Sequence, residues 1–154
     1  MTTQPFRDPH LKGRPGEAAR QAAVQVLSGP HLSVLSTINP DGSAQSSVIF
    51  VKPDGDDLLF STIEGRRKTA NMRRDPRVNL LVHSLPGGEG EITYASLAGL
   101  VELTDDPEGA FHQVMYDLHM GGAPAPAEPG ARRLIARLRP GRVYAPPSYV
   151  APAG

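Results

Sequence analysis

The 154-residue chain contains no cysteine and no tryptophan. Without thiols there is no disulfide framework, no thiolate metal site and no cysteine nucleophile. Aromatic residues make up only 5% of the chain, too sparse a supply of stacking platforms for a single-stranded nucleic acid. No apolar run approaches the ~20 residues that span a bilayer. Met1 to Gly16 holds no hydrophobic stretch, so no secretory leader is expected and the protein is expected in the cytoplasm. The length suits one domain, and an apolar fraction of 39% is enough for a core.

Net charge is absent too, because 16 basic residues balance 16 acidic ones. That zero is a sum over an uneven distribution. Residues 64–77, EGRRKTANMRRDPR, hold six basic side chains against two acidic, and residues 132–142, RRLIARLRPGR, hold five basic and no acidic. Between them, residues 81–131 carry eight acids and no Lys or Arg. An anion must therefore be bound locally, in one of two short segments. A polyanion would be repelled by the acidic stretch, so neither nucleic acid nor a membrane surface is expected as a partner.

Along the chain, residues 1–14 read as a tail, 15–147 as one domain and 148–154 as a second tail. A first helix is expected from Pro15-Glu17 to the Gly29-Pro30 stop. Strands follow at 31–38, 43–51 and 57–62, joined by the turns Asn39-Pro40-Asp41-Gly42 and Pro53-Asp54-Gly55, and read as an antiparallel meander. A short helix covers 65–74, a fourth strand 77–83, and a long strand 91–104 in which Gly99 marks a bulge or close approach. Asp106-Pro107 opens a helix reaching about Met120, with Asp106 as N-cap. Residues 121–130 read as a Gly/Pro/Ala linker without packing capacity, and 131–139 as the last strand. Short turns, many strands and three peripheral helices predict a mainly β fold, a small barrel in a single domain.

The segment after the third strand is chemically the most informative. Arg66, Arg67 and Lys68 fall in the first turn of the expected helix, where each positive charge is unfavourable by roughly 0.3–1 kcal/mol. Free backbone N–H groups and cations together make an anion site, most naturally for phosphate. Asn71 lies on the side of Lys68 and offers a neutral hydrogen bond. The alternative at this point is a solvated basic helix.

The order of elements, with DGSAQSSVIFV, LLFSTIEGRRKTANMRRDPRVNLLV and RLIARLRPGRVYAPPSY, resembles the flavin/deazaflavin oxidoreductase superfamily. These are split β-barrel (FMN-binding split barrel-like) proteins related to pyridoxamine 5′-phosphate oxidase, and the nearest branch is the one using coenzyme F420. The resemblance implies a homodimer with cofactor at the subunit interface and hydride transfer from reduced F420 to an enone, imine or tetrapyrrole-like acceptor. It implies that Arg66, Arg67 and Lys68 hold the cofactor phosphate, with Asn71, Ser61 and Thr62 nearby, and that Gln45, Ser46 and Ser47 lie along the ring system and its ribityl chain. Many relatives carry a proline after this last position and this chain does not. The alternatives are an FMN-dependent relative and a non-catalytic flavin- or deazaflavin-binding protein. A pyridoxamine-phosphate oxidase proper is not expected, since the Trp- and His-containing C-terminal segment of that enzyme is missing.

The cofactor would carry the chemistry, so no catalytic residue is assigned, and no GxSxG elbow is present. Arg133, Arg137 and Arg139 share one face of the last strand. They are read as ion-paired with Glu102, Asp105, Asp106 or Glu108, or as meeting the polyglutamate tail of F420. His112 and His119, seven residues apart, need a third ligand to share a metal, so no metal site is expected. Like Tyr94 and Tyr116, they read as packing or surface residues.

Overall fold

The computed structural model describes residues 23, 26–28, 31–84, 91–92, 94–145 and 149–150. Its strands are β1 (His31–Ile38), β2 (Ala44–Ile49), β3 (Lys52–Asp54), β4 (Asp57–Ile63), β5 (Arg77–Ser84), β6 (Glu91–Ile92), β7 (Tyr94–Asp105), β8 (Arg133–Tyr144) and β9 (Tyr149–Val150). Helix α1 (Arg67–Arg74) follows β4, and helix α2 (Ala110–His119) lies between β7 and β8. Of the expected N-terminal helix, Ala23 and residues 26–28 are helical; the rest, like residues 1–14, lies outside the described residues. Among the described residues, no helix is long and apolar enough to cross a membrane.

Alternating burial dictates how the strands face. Ser33, Leu35 and Thr37 of β1 turn inward, as do Val78, Leu80 and Val82 of β5 and Leu134, Ala136 and Leu138 of β8. Leu35, Val78, Leu80, Val82, Ala136 and Leu138 form one core with Phe60, Ala95, Leu97 and Val143. The opposite face of β8 carries Arg133, Ile135 and Arg137, as the alternation predicts. Seven strands make one mainly β, single-domain sheet in the order β2-β1-β5-β7-β8-β4-β3, all pairs antiparallel, curled into a half-barrel. Strand β9, in the segment expected to be a tail, pairs with β6 in a separate two-stranded sheet.

The expected meander is only partly present. Strands β1 and β2 form the predicted hairpin, closed by Gly42 at φ +85° and an Asn39-to-Ser43 backbone bond of 2.8 Å. The next strands do not continue beside β2. Instead β3 folds back on β4, and this pair occupies the opposite edge of the sheet. Val51, between β2 and β3, is buried in the core and carries the chain inward. Pro53, lacking an N–H, suits the edge strand it occupies. Ile49 and Val51 thus join the same core as Leu58 and Phe60 across the curl of the sheet.

Gly99 answers to its predicted role. The β7–β8 register slips between Ala98 and Gly99, and a Cβ on Gly99 would lie 2.2 Å from the Arg139 carbonyl oxygen. Only glycine permits that approach of two backbones.

Candidate functional site

A cleft of about 250 Å³ lies by the ends of β2 and β4. Residues 48–50 at the end of β2 form one side, and residues 61–63 at the end of β4 form the other. Arg66 and Lys68 enter from α1, and His112, Met115 and Tyr116 from α2.

Helix α1 is fixed by its buried polar side chains. Thr69 donates to the Ile63 carbonyl at 2.8 Å, so Thr62 is the donor in the 2.8 Å bond between their hydroxyls. On the other side, the Asn71 amide donates to Thr37 Oγ1 and to Asn39 Oδ1, each at 3.0 Å, and accepts from Arg74 at 3.1 Å. The helix is therefore tied to β4 and to the β1 hairpin at once. Its N-terminus lacks what a helix start usually has: Arg66 stands at the N-cap, no side chain caps the backbone, and the first turn has no acid.

Neither Arg66 nor Lys68 has a carboxylate within ion-pairing distance among the described residues. Burial, and then the neighbouring Arg66 guanidinium, pull the Lys68 ammonium below its ordinary 10.5. Arg133 also reaches the cleft but arrives neutralised, bonded to Glu128 and, at 3.3 Å, to the Ser61 hydroxyl.

Helix α2 starts later than predicted. Pro107–Gly109 forms a 3-10 turn with Glu108 at φ +60°, and the Asp106 carboxylate reaches past it to the N–H groups of Phe111 (2.9 Å) and His112 (3.0 Å). The capping role is kept, one turn further on. The segment read as a linker without packing capacity is held in place. Gln113 bonds Ala123 and Ala125 at 3.2 and 2.9 Å, and Pro126 and Glu128 line the cleft.

Of the nine residues expected around a cofactor, the structure brings Ser61, Thr62, Arg66 and Lys68 to this cleft. Arg67, next round the helix, turns to a separate groove with Asn39, Asp41 and Arg74. Asn71 borders that same groove, but its amide is buried and committed to the bonds above. Gln45, Ser46 and Ser47 sit further back along β2. Gln45 accepts from Thr37 at 2.8 Å, Ser46 lies 3.0 Å from Ser36 on the opposite face, and the enclosed Ser47 hydroxyl has no partner. Arg137 and Arg139 pair with Asp54, Asp57 and Glu102; of the acids expected to pair with the arginine face, Glu102 alone does so, beside the unforeseen Glu128.

Two residues expected to be packing or surface residues line the cleft. His112 and Tyr116 stand one helical turn apart with ring centroids 4.9 Å apart. Both nitrogens of His112 are enclosed and, among the described residues, without a partner, and burial, followed by the Arg133 charge, lowers its pKa from 6.5. Their i, i+4 spacing was the available signal; pairing His112 with His119 obscured it. His119 faces elsewhere, stacked on Phe50 at 4.7 Å and donating from Nε2 to the Val51 carbonyl at 3.1 Å.

Comparison with known proteins adds to this geometry. The family described as pyridoxamine 5′-phosphate oxidase matches residues 19–145. An F420 reductase of known structure is similar at 29% identity, with 79% of this chain and 95% of that chain covered and a TM-score of 0.70. A heme-binding protein from Mycobacterium smegmatis (19% identity, 90% and 60% covered, TM-score 0.66) shares the fold. So does an FAD-binding protein from Mesorhizobium loti (18%, 81% and 91% covered, TM-score 0.62).

Proposed function

The chain belongs to the pyridoxamine 5′-phosphate oxidase family, and on that premise we propose that it is an F420-dependent oxidoreductase. It would transfer hydride from reduced F420 to a small organic acceptor such as an enone, imine or tetrapyrrole. The observation that carries this reading is the uncompensated pair Arg66 and Lys68 at the uncapped start of α1, inside a cleft.

The residues present fit such a group. Two cations without counter-ions, the Ser61 hydroxyl and free N–H groups at a helix start suit a phosphate. Opposite them, Val48, Ile49, Phe50 and Met115 offer an apolar wall that suits a planar ring and excludes water. When bound, the deazaflavin supplies the hydride. Arg66 and Lys68 bind and orient its phosphate end, while Thr62 and Thr69, through their mutual bond, hold α1 against β4 so that the two cations stay aimed.

Similarity to the F420 reductase supports F420 as the cofactor. One observation favours FMN as a second reading: Arg133, Arg137 and Arg139 are all engaged by carboxylates, so they do not stand ready for an anion longer than one phosphate. Titration with F420 and with FMN, followed by cofactor fluorescence, separates the two. F420 binding is expected, and tight FMN binding without F420 binding reverses the assignment. Oxidation of reduced F420 against a panel of acceptors then distinguishes an enzyme from a binding protein.

The same reading includes a homodimer in the cytoplasm, with neither nucleic acid nor membrane as partner. Supporting the dimer, edge strand β2 pairs only with β1, and beside the cleft Val48 is 65% and Phe50 48% exposed.

A further inference from the structure

A second cavity, of about 400 Å³, adjoins the cleft, and His112, Pro126, Glu128 and Arg133 line both. The two spaces differ in what they leave unsatisfied. The cleft contains Arg66 and Lys68 without counter-ions. In the second cavity Arg133 is bonded to Glu128, and both oxygens of Asp106 are taken by backbone N–H groups of α2. Among the described residues, the polar group left without a partner at the shared wall is the His112 ring.

Burial disfavours the imidazolium, so the ring is neutral near pH 7 and carries one N–H donor and one acceptor nitrogen. The groups acting on it are Arg133 and Arg66 on one side of the balance and Glu128 and Asp106 on the other. Its backbone N–H is anchored to Asp106, and its ring meets the edge of Tyr116 at 69°, so the imidazole is held between the two spaces. An enclosed donor without an acceptor is costly, and folds retain such groups where a ligand completes them. The same cavity is bordered by Glu108, a non-glycine residue at φ +60°. Backbone strain of that kind collects at functional sites.

We infer that the second cavity is the chamber of the hydride acceptor, and that the His112 ring N–H holds there the carbonyl oxygen or imine nitrogen of an uncharged acceptor. The inference rests on reading the cleft as a cofactor site: the anionic partner goes to the uncompensated cations, and the neutral one to the imidazole. It assigns His112 to substrate binding and makes a charged acceptor a poor ligand.

Cyclohexenone serves as the probe, added to the full chain with and without F420. The ring 15N signals of the five histidines are followed, that of His112 being identified by its loss in His112→Phe. The His112 signal is expected to move on titration. The phenylalanine variant, which keeps a ring beside Tyr116 but no nitrogen, is expected to bind cyclohexenone about tenfold more weakly, the size of one lost hydrogen bond. His112→Gln, which retains a donor, should recover most of that loss. An immobile His112 signal, or unchanged cyclohexenone affinity in His112→Phe, overturns the inference. A chain that binds neither F420 nor FMN overturns the cofactor reading and the hydride-acceptor role with it, whereas an immobile His112 signal in a chain that binds F420 overturns the acceptor site alone.

Discussion

The arginines of β8 and the cations that open α1 look alike in sequence and meet opposite fates in the fold. On β8, Arg133 reaches Glu128, Arg137 reaches Asp54 and Asp57, and Arg139 reaches Glu102 at 2.9 Å. Their partners come from a neighbouring strand, an adjacent hairpin and the loop that precedes β8, so antiparallel packing brings acid to base across the sheet. At the start of α1 nothing of the kind occurs among the described residues. Arg66 and Lys68 stand beside each other, at the positive end of a helix dipole, with no acid in the first turn. Compensated charge belongs to the scaffold, and uncompensated charge, retained at a cost to stability, is what the proposed cofactor site rests on.

The comparison breaks first at Asn71, which the sequence grouped with the cofactor residues and the fold groups with the scaffold. Asn71→Ala removes both amide donations to the β1 hairpin and leaves a void beneath α1. We expect a loss of about 2–4 kcal/mol in stability, measured by chemical denaturation. A variant as stable as the parent but weaker in cofactor binding would return Asn71 to the site.

Lys68→Ala is the reciprocal case. It should weaken cofactor binding by roughly 1.5–3 kcal/mol, the range for a charged hydrogen bond, and leave Tm unchanged or raised, since it relieves a half-buried amine facing Arg66. Its pH dependence has a definite sign. The ammonium form binds the anion, and its pKa is depressed, so affinity should fall as pH rises through a value below 10.5. Affinity that is flat across that range, or a variant that binds as well as the parent, removes Lys68 from the phosphate site.

Arg137→Leu probes the scaffold side. The side chain is about one-third exposed and both its contacts are ion pairs near the surface, so we expect less than about 1 kcal/mol of stability to be lost. Cofactor affinity should be unchanged. A clear drop in F420 affinity but not in FMN affinity would instead place a longer anionic tail on the β8 face.

The strands and turns were legible in the sequence because alternation and turn chemistry are local. Leu35, Leu80 and Ala136 announce their faces by period two, and Gly99 announces a close approach. The path of the sheet was not legible, because the move of β3 and β4 to the far edge depends on the burial of Val51, a long-range event. The site divides the same way. Arg66 and Lys68 could be found from charge at a helix start. The rotation that sends Arg67 to another groove depends on residues far away in sequence, and the neutralisation of Arg133 depends on Glu128, five residues before it in a segment whose composition reads as a linker. His112 was missed because its significance lies in what fails to reach it.

The smallest expected effect lies where the basic segment 64–77 changes character. Arg77 belongs to that segment but behaves like the β8 arginines, clasping Asp75 at 2.7 Å. Its side-chain hydrogen bond, followed by its backbone N–H, holds the Asp75 carboxyl down at about 2, against an ordinary 3.8. A carboxylate whose folded pKa is depressed adds stability above its unfolded pKa and loses it as pH falls through the folded one. The Tm gap between the parent and Asp75→Asn should therefore be present at pH 5, shrink below pH 3.8 and vanish near pH 2. Arg77 is 70% exposed, so the gap should be small and should also close in about 1 M salt, where the Debye length is near 3 Å. A gap that persists through acid and salt would mean that Asp75 acts by shape, as the stop between α1 and β5. The division of the basic segment into binding and scaffold charges would then fall at Arg73, which pairs with Glu64, rather than run on to its end.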